Sequence, residues 1–379
     1  MRQRRLARAS SIRDLRQIAR RRTPRSVFDY VDGAAESEAS LARARRVYAD
    51  IEFQPRVLRD VSGVDPSATL LGQASTLPLI FAPTGFTRMM HFEGEPSVAR
   101  AAEGLGVPYT LSTMGTTTAE GVAEAAPEGD HWFQLYVWRD RDAVAQLIER
   151  ARVAGFRSLM LTVDTPVAGA RLRDVRNGLT VPPSLSLRTL FDMAQYPAWW
   201  FNLLTTEPLE FASFRSYDGT VAELISELFD PTLNVDDLTS LREEWDGPLI
   251  VKGIQTVEDA RAVVDLGADA IVLSNHGGRQ LDKAPTPLTQ VKEVVEAVGD
   301  RAEVYVDGGI LSGADIVAAV ALGAKAAMVG RAYLYGLMAG GQQGVERAGE
   351  ILHTDIIRTM QLLGVRSLDE LNPDHVRFR

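Results

Sequence analysis

The 379-residue chain has no cysteine. Disulfides, thiolate metal sites and thiol nucleophiles are therefore excluded, and any redox chemistry must come from a bound cofactor. Histidine is scarce as well, at five residues, so few side chains can exchange a proton near neutral pH. No apolar run approaches the roughly 18 to 20 residues needed to span a bilayer. Acids outnumber bases, with a net charge of 41 − 50 = −9. That balance argues against a nucleic-acid surface and against broad electrostatic attachment to membranes. The first 25 residues run the other way, with ten arginines against a single acid, Asp14. No apolar core follows them, so they do not read as a secretory signal. A solvated basic helix is one reading of this start, and an arm touching anionic lipid is the other. The expected location is cytoplasmic, with peripheral contact at the inner face of the cell membrane left open.

What the chain does have is a repeat. Short apolar runs recur eight times, at 77–83, 107–113, 131–137, 158–164, 248–254, 270–276, 303–309 and 326–331, each ending in polar or glycine residues. Continuous rather than alternating apolar character fits strands buried on both faces of a parallel sheet. Helix-period stretches lie between most of them; in RDAVAQLIERARVAG, Val144, Leu147, Ile148 and Ala151 form one stripe. Gly106, Gly155, Gly267 and Gly323 each stand just before a strand, where a left-handed helix cap is expected. This alternation predicts an α/β fold, a (β/α)8 TIM barrel, in preference to a doubly wound open sheet.

Residues 1–76 are expected to form a helical N-terminal extension, 77–331 the barrel strands and 332–379 C-terminal helices, all within a single domain. An insertion at about 180–235 separates the fourth and fifth strands. Its segment LFDMAQYPAWWFNLL holds two of the five tryptophans. The insertion reads as an ordinary packed excursion or lid over the barrel mouth, as an interfacial membrane segment, or as a partner surface.

Barrel active sites form at the C-terminal ends of the strands. Those ends carry Pro83, Thr84 and Gly85; Ser112; Gln134 and Tyr136; Thr162 and Asp164, with Arg171 beyond; Lys252; Ser274 and His276; Asp307, Gly308 and Gly309; and Gly330 with Arg331. Singly, each is compatible with a satisfied structural polar group. Together, at one end of one barrel, they make a site. The glycine turns after the last two strands suit an anion, because their backbone N–H groups can approach it. His276 is the natural general base, and Asp164 is placed to orient it. Arg171 and Arg279 suit a carboxylate, each being otherwise readable as a solvated salt bridge. No H-E-x-x-H or comparable ligand cluster is present, so no metal is expected.

The strings PTG, FQLY, LTVDTP, VKGI, SNHGGRQLD, DGG and VGRAYLYGL, in this order, resemble the FMN-dependent L-2-hydroxy acid oxidase/dehydrogenase family of glycolate, lactate and mandelate enzymes. The resemblance runs from about Ser11 to the C-terminus. It implies an enzyme that oxidises an L-2-hydroxy acid to the 2-keto acid. His276 would take a proton, either from the hydroxyl or from Cα. Tyr30 and Tyr136 would meet the substrate carboxylate and hydroxyl, and Arg171 and Arg279 would clamp the carboxylate. Pro83, Thr84 and Gly85 would line the flavin, with Ser112, Gln134 and Thr162 bonded to its ring system and Ser274 facing it. Lys252 would sit by N1 and the C2 carbonyl. Asp307, Gly308, Gly309, Gly330 and Arg331 would hold ribityl and phosphate. A homotetramer is also implied.

One position departs from that pattern. Family members usually carry an arginine two residues after DGG, on the phosphate; here it is Leu311. Losing such a charge-assisted contact costs roughly 1.5–3 kcal/mol. Two further features bear on the oxidant. The oxidases commonly have alanine where this chain has Gly85, and the insertion resembles the membrane-associating segment of mandelate dehydrogenase and that of bacterial lactate dehydrogenase. Both favour a quinone-type acceptor, with peripheral membrane contact through about 185–214. The alternative is an oxidase that uses O2 and releases H2O2.

Overall fold

Eight parallel strands close into a barrel in the computed structural model, which describes residues 6–179, 186–214 and 230–379. They are β1 (Leu79–Phe81), β2 (Tyr109–Ser112), β3 (His131–Leu135), β4 (Ser158–Thr162), β5 (Leu249–Ile254), β6 (Ala270–Leu273), β7 (Glu303–Val306) and β8 (Ala326–Val329). Each pairs with its sequence neighbours, and β8 returns to β1 through Ala327 opposite Leu79 and Val329 opposite Phe81. The surrounding helices confirm the expected (β/α)8 TIM barrel. All four glycines expected to cap helices have positive φ, from 68° at Gly106 to 110° at Gly323.

Successive strand residues point to opposite faces, so the apolar runs divide between two cores. Ile80, Trp132, Met160, Ile250, Val272, Tyr305 and Met328 form one cluster. It is the barrel interior, since Trp132 of β3 and Tyr305 of β7 meet across it at 5.9 Å between ring centroids. Leu79, Phe81, Phe133, Leu159, Ile271 and Leu273 join the larger cluster shared with the helices. An antiparallel ribbon, Ala68–Leu70 with Gln73–Ser75, adds Leu70 to the interior cluster. The barrel interior is therefore a packed plug, closed at its N-terminal end by the Arg157–Asp130 pair and Glu303, and the candidate site residues collect at the opposite end.

Among the described residues, helices α1 (Ile12–Arg20), α2 (Arg25–Asp32) and α3 (Ala39–Ala49) precede the barrel. The Ser11 hydroxyl accepts the Asp14 N–H at the start of α1, whose Ile12, Leu15 and Ala19 are buried. Its basic side is only partly solvated. Arg16 grips Asp32 through two bonds of 2.5 and 2.8 Å, and Asp32 also accepts the Tyr335 hydroxyl at 2.8 Å. The arginine-rich start is thus an amphipathic helix from Ile12 onward that buries one face and leaves Arg13 and Arg20 exposed, as a solvated basic helix would; residues 1–5 lie outside the described residues.

The predicted insertion is described only in part, residues 180–185 and 215–229 lying outside the described segments. Two of its helices, α4 (Leu187–Ala194) and α5 (Pro197–Thr205), stand over the barrel mouth. Trp199 donates its indole N–H to the Met89 carbonyl at 2.8 Å, and Arg88 donates to the Glu207 carbonyl at 2.6 Å. After β8 come α6 (Arg331–Gly340) and α7 (Gln342–Leu363), which ends at Gly364 with φ 77°. The expected C-terminal helices stop there. Val376–Phe378 instead pairs antiparallel with Ile51–Phe53 and ties the C-terminal segment to the end of the N-terminal extension. Among the described residues, no helix is long and apolar enough to cross a membrane.

Candidate active site

The turn after β6 runs through three consecutive left-handed residues. His276, Gly277 and Gly278 have φ of 57°, 63° and 77° in succession. A histidine in this region costs about 1–2 kcal/mol, so its surroundings must hold it there. They do so from several sides. Asn275 accepts the Gly278 N–H and donates to the Pro285 carbonyl. The Ser274 hydroxyl accepts the His276 N–H at 3.0 Å. A Cβ on Gly278 would lie 2.9 Å from the Leu41 nitrogen, so α3 could not pack against any larger residue there.

His276 Nδ1 lies 3.1 Å from Asp164, whose side chain is 2% exposed. Burial alone would raise the Asp164 carboxyl; the His276 charge and hydrogen bond, with Lys252, outweigh it and hold the carboxyl below its ordinary value. An ionised carboxylate only accepts, so Nδ1 must donate and Nε2 is left as the proton acceptor. Gln280 donates to the Asp164 and Val167 carbonyls at 3.0 and 2.9 Å, which fixes the loop carrying Asp164.

Arg279 and Arg171 stand 4.9 and 5.6 Å from the centre of the Tyr30 ring. Arg279 also donates to the Tyr30 carbonyl. Burial, then repulsion from Arg171, pushes the Arg279 guanidinium down to about 10. Burial, then Asp164, pushes the Tyr136 phenol well above its ordinary value. At neutral pH Arg279 therefore remains a cation and Tyr136 a neutral phenol donor.

These residues line one cavity of about 1660 Å³. That exceeds the roughly 300–1,000 Å³ typical of one small-ligand site, so there is room for a cofactor beside a substrate. Pro83, Thr84, Gly85, Ser112, Thr162, Lys252, Asp307, Gly308, Gly309, Gly330 and Arg331 line it as well. Three of the expected residues do not. Gln134, Asp164 and Ser274 sit behind the wall, bonded to Ser112, His276 and Lys252 respectively. Lys252 is 4% exposed and lies 3.1 Å from Asp307. Burial would lower it, but Asp307 and then Asp164 raise it, so it remains a cation.

A planar, polar-edged cofactor fits this lining. Thr162 Oγ1 and Asp307 Oδ1, both on the lining, are buried without a partner among the described residues, and a buried orphan costs about 1–3 kcal/mol. A flavin ring edge and ribityl chain offer the missing partners. Gly85 fits the same wall tightly: a Cβ there would lie 2.8 Å from Met114 Cβ and 3.2 Å from its carbonyl oxygen.

The model of the FMN-dependent dehydrogenase family matches residues 19–378. The chain is an FMN-dependent dehydrogenase of that family. A Mycobacterium tuberculosis protein with a provisional L-lactate dehydrogenase name is 58% identical over 373 residues, covering 98% of this chain and 90% of that one. The L-lactate dehydrogenase of Caulobacter vibrioides is 42% identical over 370 residues, 96% of each chain. The crystal structure of the monotopic membrane protein (S)-mandelate dehydrogenase matches at a TM-score of 0.94 and 36% identity, covering 98% of this chain and 100% of that chain. FMN is thus the cofactor of this dehydrogenase, as the resemblance implied.

Residues unassigned from sequence also shape the dehydrogenase site. Asp282 accepts the N–H groups of Ser37, Ala39 and Ser40, and so caps α3 from the far side of the mouth. Its place inside SNHGGRQLD was the one available signal. Arg173, which meets Asp32 at 3.2 Å and also pairs with Glu38, had none.

Proposed function

We propose that this dehydrogenase oxidises an L-2-hydroxy acid of the lactate or mandelate type to the 2-keto acid and passes the electrons to a quinone-type acceptor. The observation that carries the reading is His276, bonded to Asp164 through Nδ1 and lining the cavity shared with Arg171 and Arg279. FMN, when bound, supplies the two-electron acceptor that no side chain here provides. The chain's own residues do the rest. Arg171 and Arg279 bind the substrate carboxylate, Tyr30 and Tyr136 orient it, and His276 Nε2 takes the proton. Asp164 then stabilises the imidazolium. Lys252 would contribute a fixed positive charge to the bound flavin, and the turns at Gly308–Gly309 and Gly330–Arg331 would hold its phosphate.

The test is anaerobic. Purified yellow protein should bleach on addition of L-lactate or L-mandelate, and stopped-flow reoxidation should favour a quinone over O2. Fast reoxidation by O2 with no quinone preference would make it an oxidase. A flavin that never bleaches with any 2-hydroxy acid would overturn the whole reading. The tight contact of Gly85 with Met114 supports the dehydrogenase branch, since the alanine common in oxidases would displace Met114.

The acceptor reading extends to the insertion. Leu187, Phe191 and Phe201 on α4 and α5 are 86%, 72% and 58% exposed, while Leu190, Trp199 and Leu203 line the cavity. We propose that this face rests in the membrane interface on the cytoplasmic side, where an apolar acceptor can reach the mouth. Each apolar side chain contributes about 1.5–3 kcal/mol when buried. Serine at Leu187, Phe191 and Phe201 together is expected to cut vesicle binding on the order of 10³-fold, read by co-sedimentation, with dye-linked turnover unchanged. Undiminished sedimentation would count against the interface. The homotetramer implied by the family resemblance is read by sedimentation velocity.

A further inference from the structure

The phosphate end of the cavity is short of a cation. Leu311 stands where family members usually carry an arginine, and the Arg331 side chain is engaged elsewhere. Its Nε, Nη1 and Nη2 donate to the carbonyls of Val31, Gly277 and Gly33 at 2.9, 2.9 and 2.7 Å. That side chain ties the extension to the His276 turn. What remains at the two glycine turns is backbone: Gly308 and Gly309, with φ 89° and 85°, and the start of α6, where Gly330 provides no side-chain cap. Backbone N–H groups orient an anion, but a phosphate brought out of water also needs a counter-charge.

Helix α3 is pressed against this end. A Cβ on Gly309 would lie 3.1 Å from Ala44 Cβ and from Tyr48 Cε2. One turn of that helix carries Arg45, which lines the cavity. Its Nη1 donates to the Gly309 carbonyl and lies 3.4 Å from Asp315. The Asp315 carboxylate is partly occupied by the Leu311 N–H at 2.8 Å. Arg45 Nε and Nη2 have no partner among the described residues, and the side chain is 40% exposed.

We infer that Arg45, reaching in from the N-terminal extension, supplies the positive charge on the FMN phosphate that Leu311 has given up. The inference rests on the reading that the β7 and β8 turns hold that phosphate. The counter-charge then comes from the helix packed on the barrel loop, so the extension binds cofactor as well as covering the mouth.

Competition between FMN and riboflavin tests this, because riboflavin lacks the phosphate and keeps the rest. Holoenzyme is equilibrated with mixtures of the two flavins, gel-filtered, and its bound flavins are quantified by chromatography. Arg45→Ala should lower the preference for FMN over riboflavin by about tenfold or more, the scale of one charge-assisted contact. Arg45→Gln keeps a donor for the Gly309 carbonyl without the charge, and should show the same loss if the alanine variant does not fold. Adding Leu311→Arg to either variant should restore the preference. Equal weakening of both flavins, or an unchanged preference with Leu311→Arg still strengthening FMN, would overturn the role of Arg45. If neither position alters the preference, the placement of the phosphate at these turns fails instead.

Discussion

Replacing His276 by asparagine is expected to lower kcat by about 10²–10⁴-fold while the protein stays yellow. Asparagine is the informative substitution because His276 sits at φ 57°, a region that asparagine tolerates well. Any loss then reports the base and not the turn. The flavin should remain because Pro83, Thr84, Lys252 and the phosphate turns are untouched. Anaerobic bleaching by L-lactate or L-mandelate gives the rate, and the visible spectrum gives occupancy. Retained turnover within tenfold would remove His276 from the mechanism.

The same variant carries a pH signature. In the native protein the Asp164 carboxyl is depressed below its ordinary 3.8. It therefore contributes stability above about that pH, and the contribution is lost as pH falls through the folded value. Without the His276 hydrogen bond and any charge on the ring, burial is the largest influence left on Asp164 and pushes the carboxyl up, opposed by Lys252 and a backbone hydrogen bond. The stability of His276→Asn relative to wild type should therefore be worst at neutral pH and recover toward acid. Thermal unfolding across pH 4–8 reads the crossover.

How legible this was in the sequence depends on how local each signal is. The eight buried strands announce themselves because continuous apolar runs such as AIVL have few other uses. The polar residues at their C-terminal ends follow from the barrel rule, and SNHGGRQLD placed His276 and Arg279 together. Closure of β8 onto β1 joins distant segments, and only the count of repeats hints at it. The three-residue strand Val376–Phe378 is too short for any periodicity to register, and it was expected as helix. Contacts from the extension were illegible for the same reason: Asp32 with Arg16 and Arg173, or Arg45 on Gly309, are set by how α1 to α3 dock. Gln134 and Ser274 were recognised as polar strand ends, but their place behind the wall depends on side-chain direction. The insertion carried its apolar character openly; that α4 and α5 line the cavity with some residues and expose others required the fold.

The second large effect is expected at Arg279. Arg279→Met should cost about 2–5 kcal/mol, or roughly 30- to 5,000-fold in kcat/KM, for a carboxylate substrate. Arg279 and Arg171 both stand over the Tyr30 ring, and among the described residues Arg171 pairs with Asp174 at 3.5 Å while Asp174 acts on Arg279 only from a longer range. Burial and the repulsion between the two arginines already push Arg279 down to about 10, a strain that an anionic ligand relieves. On the proposed function the substrate carboxylate would be the missing counter-ion, and methionine keeps the volume while removing that partner. Lysine should recover only part of the loss, since it lacks the planar fork that binds a carboxylate through two parallel bonds. Comparing L-mandelate with its neutral amide separates charge recognition from packing. The acid should lose most of its advantage over the amide in Arg279→Met, whereas a purely structural role would depress both equally and leave their ratio unchanged.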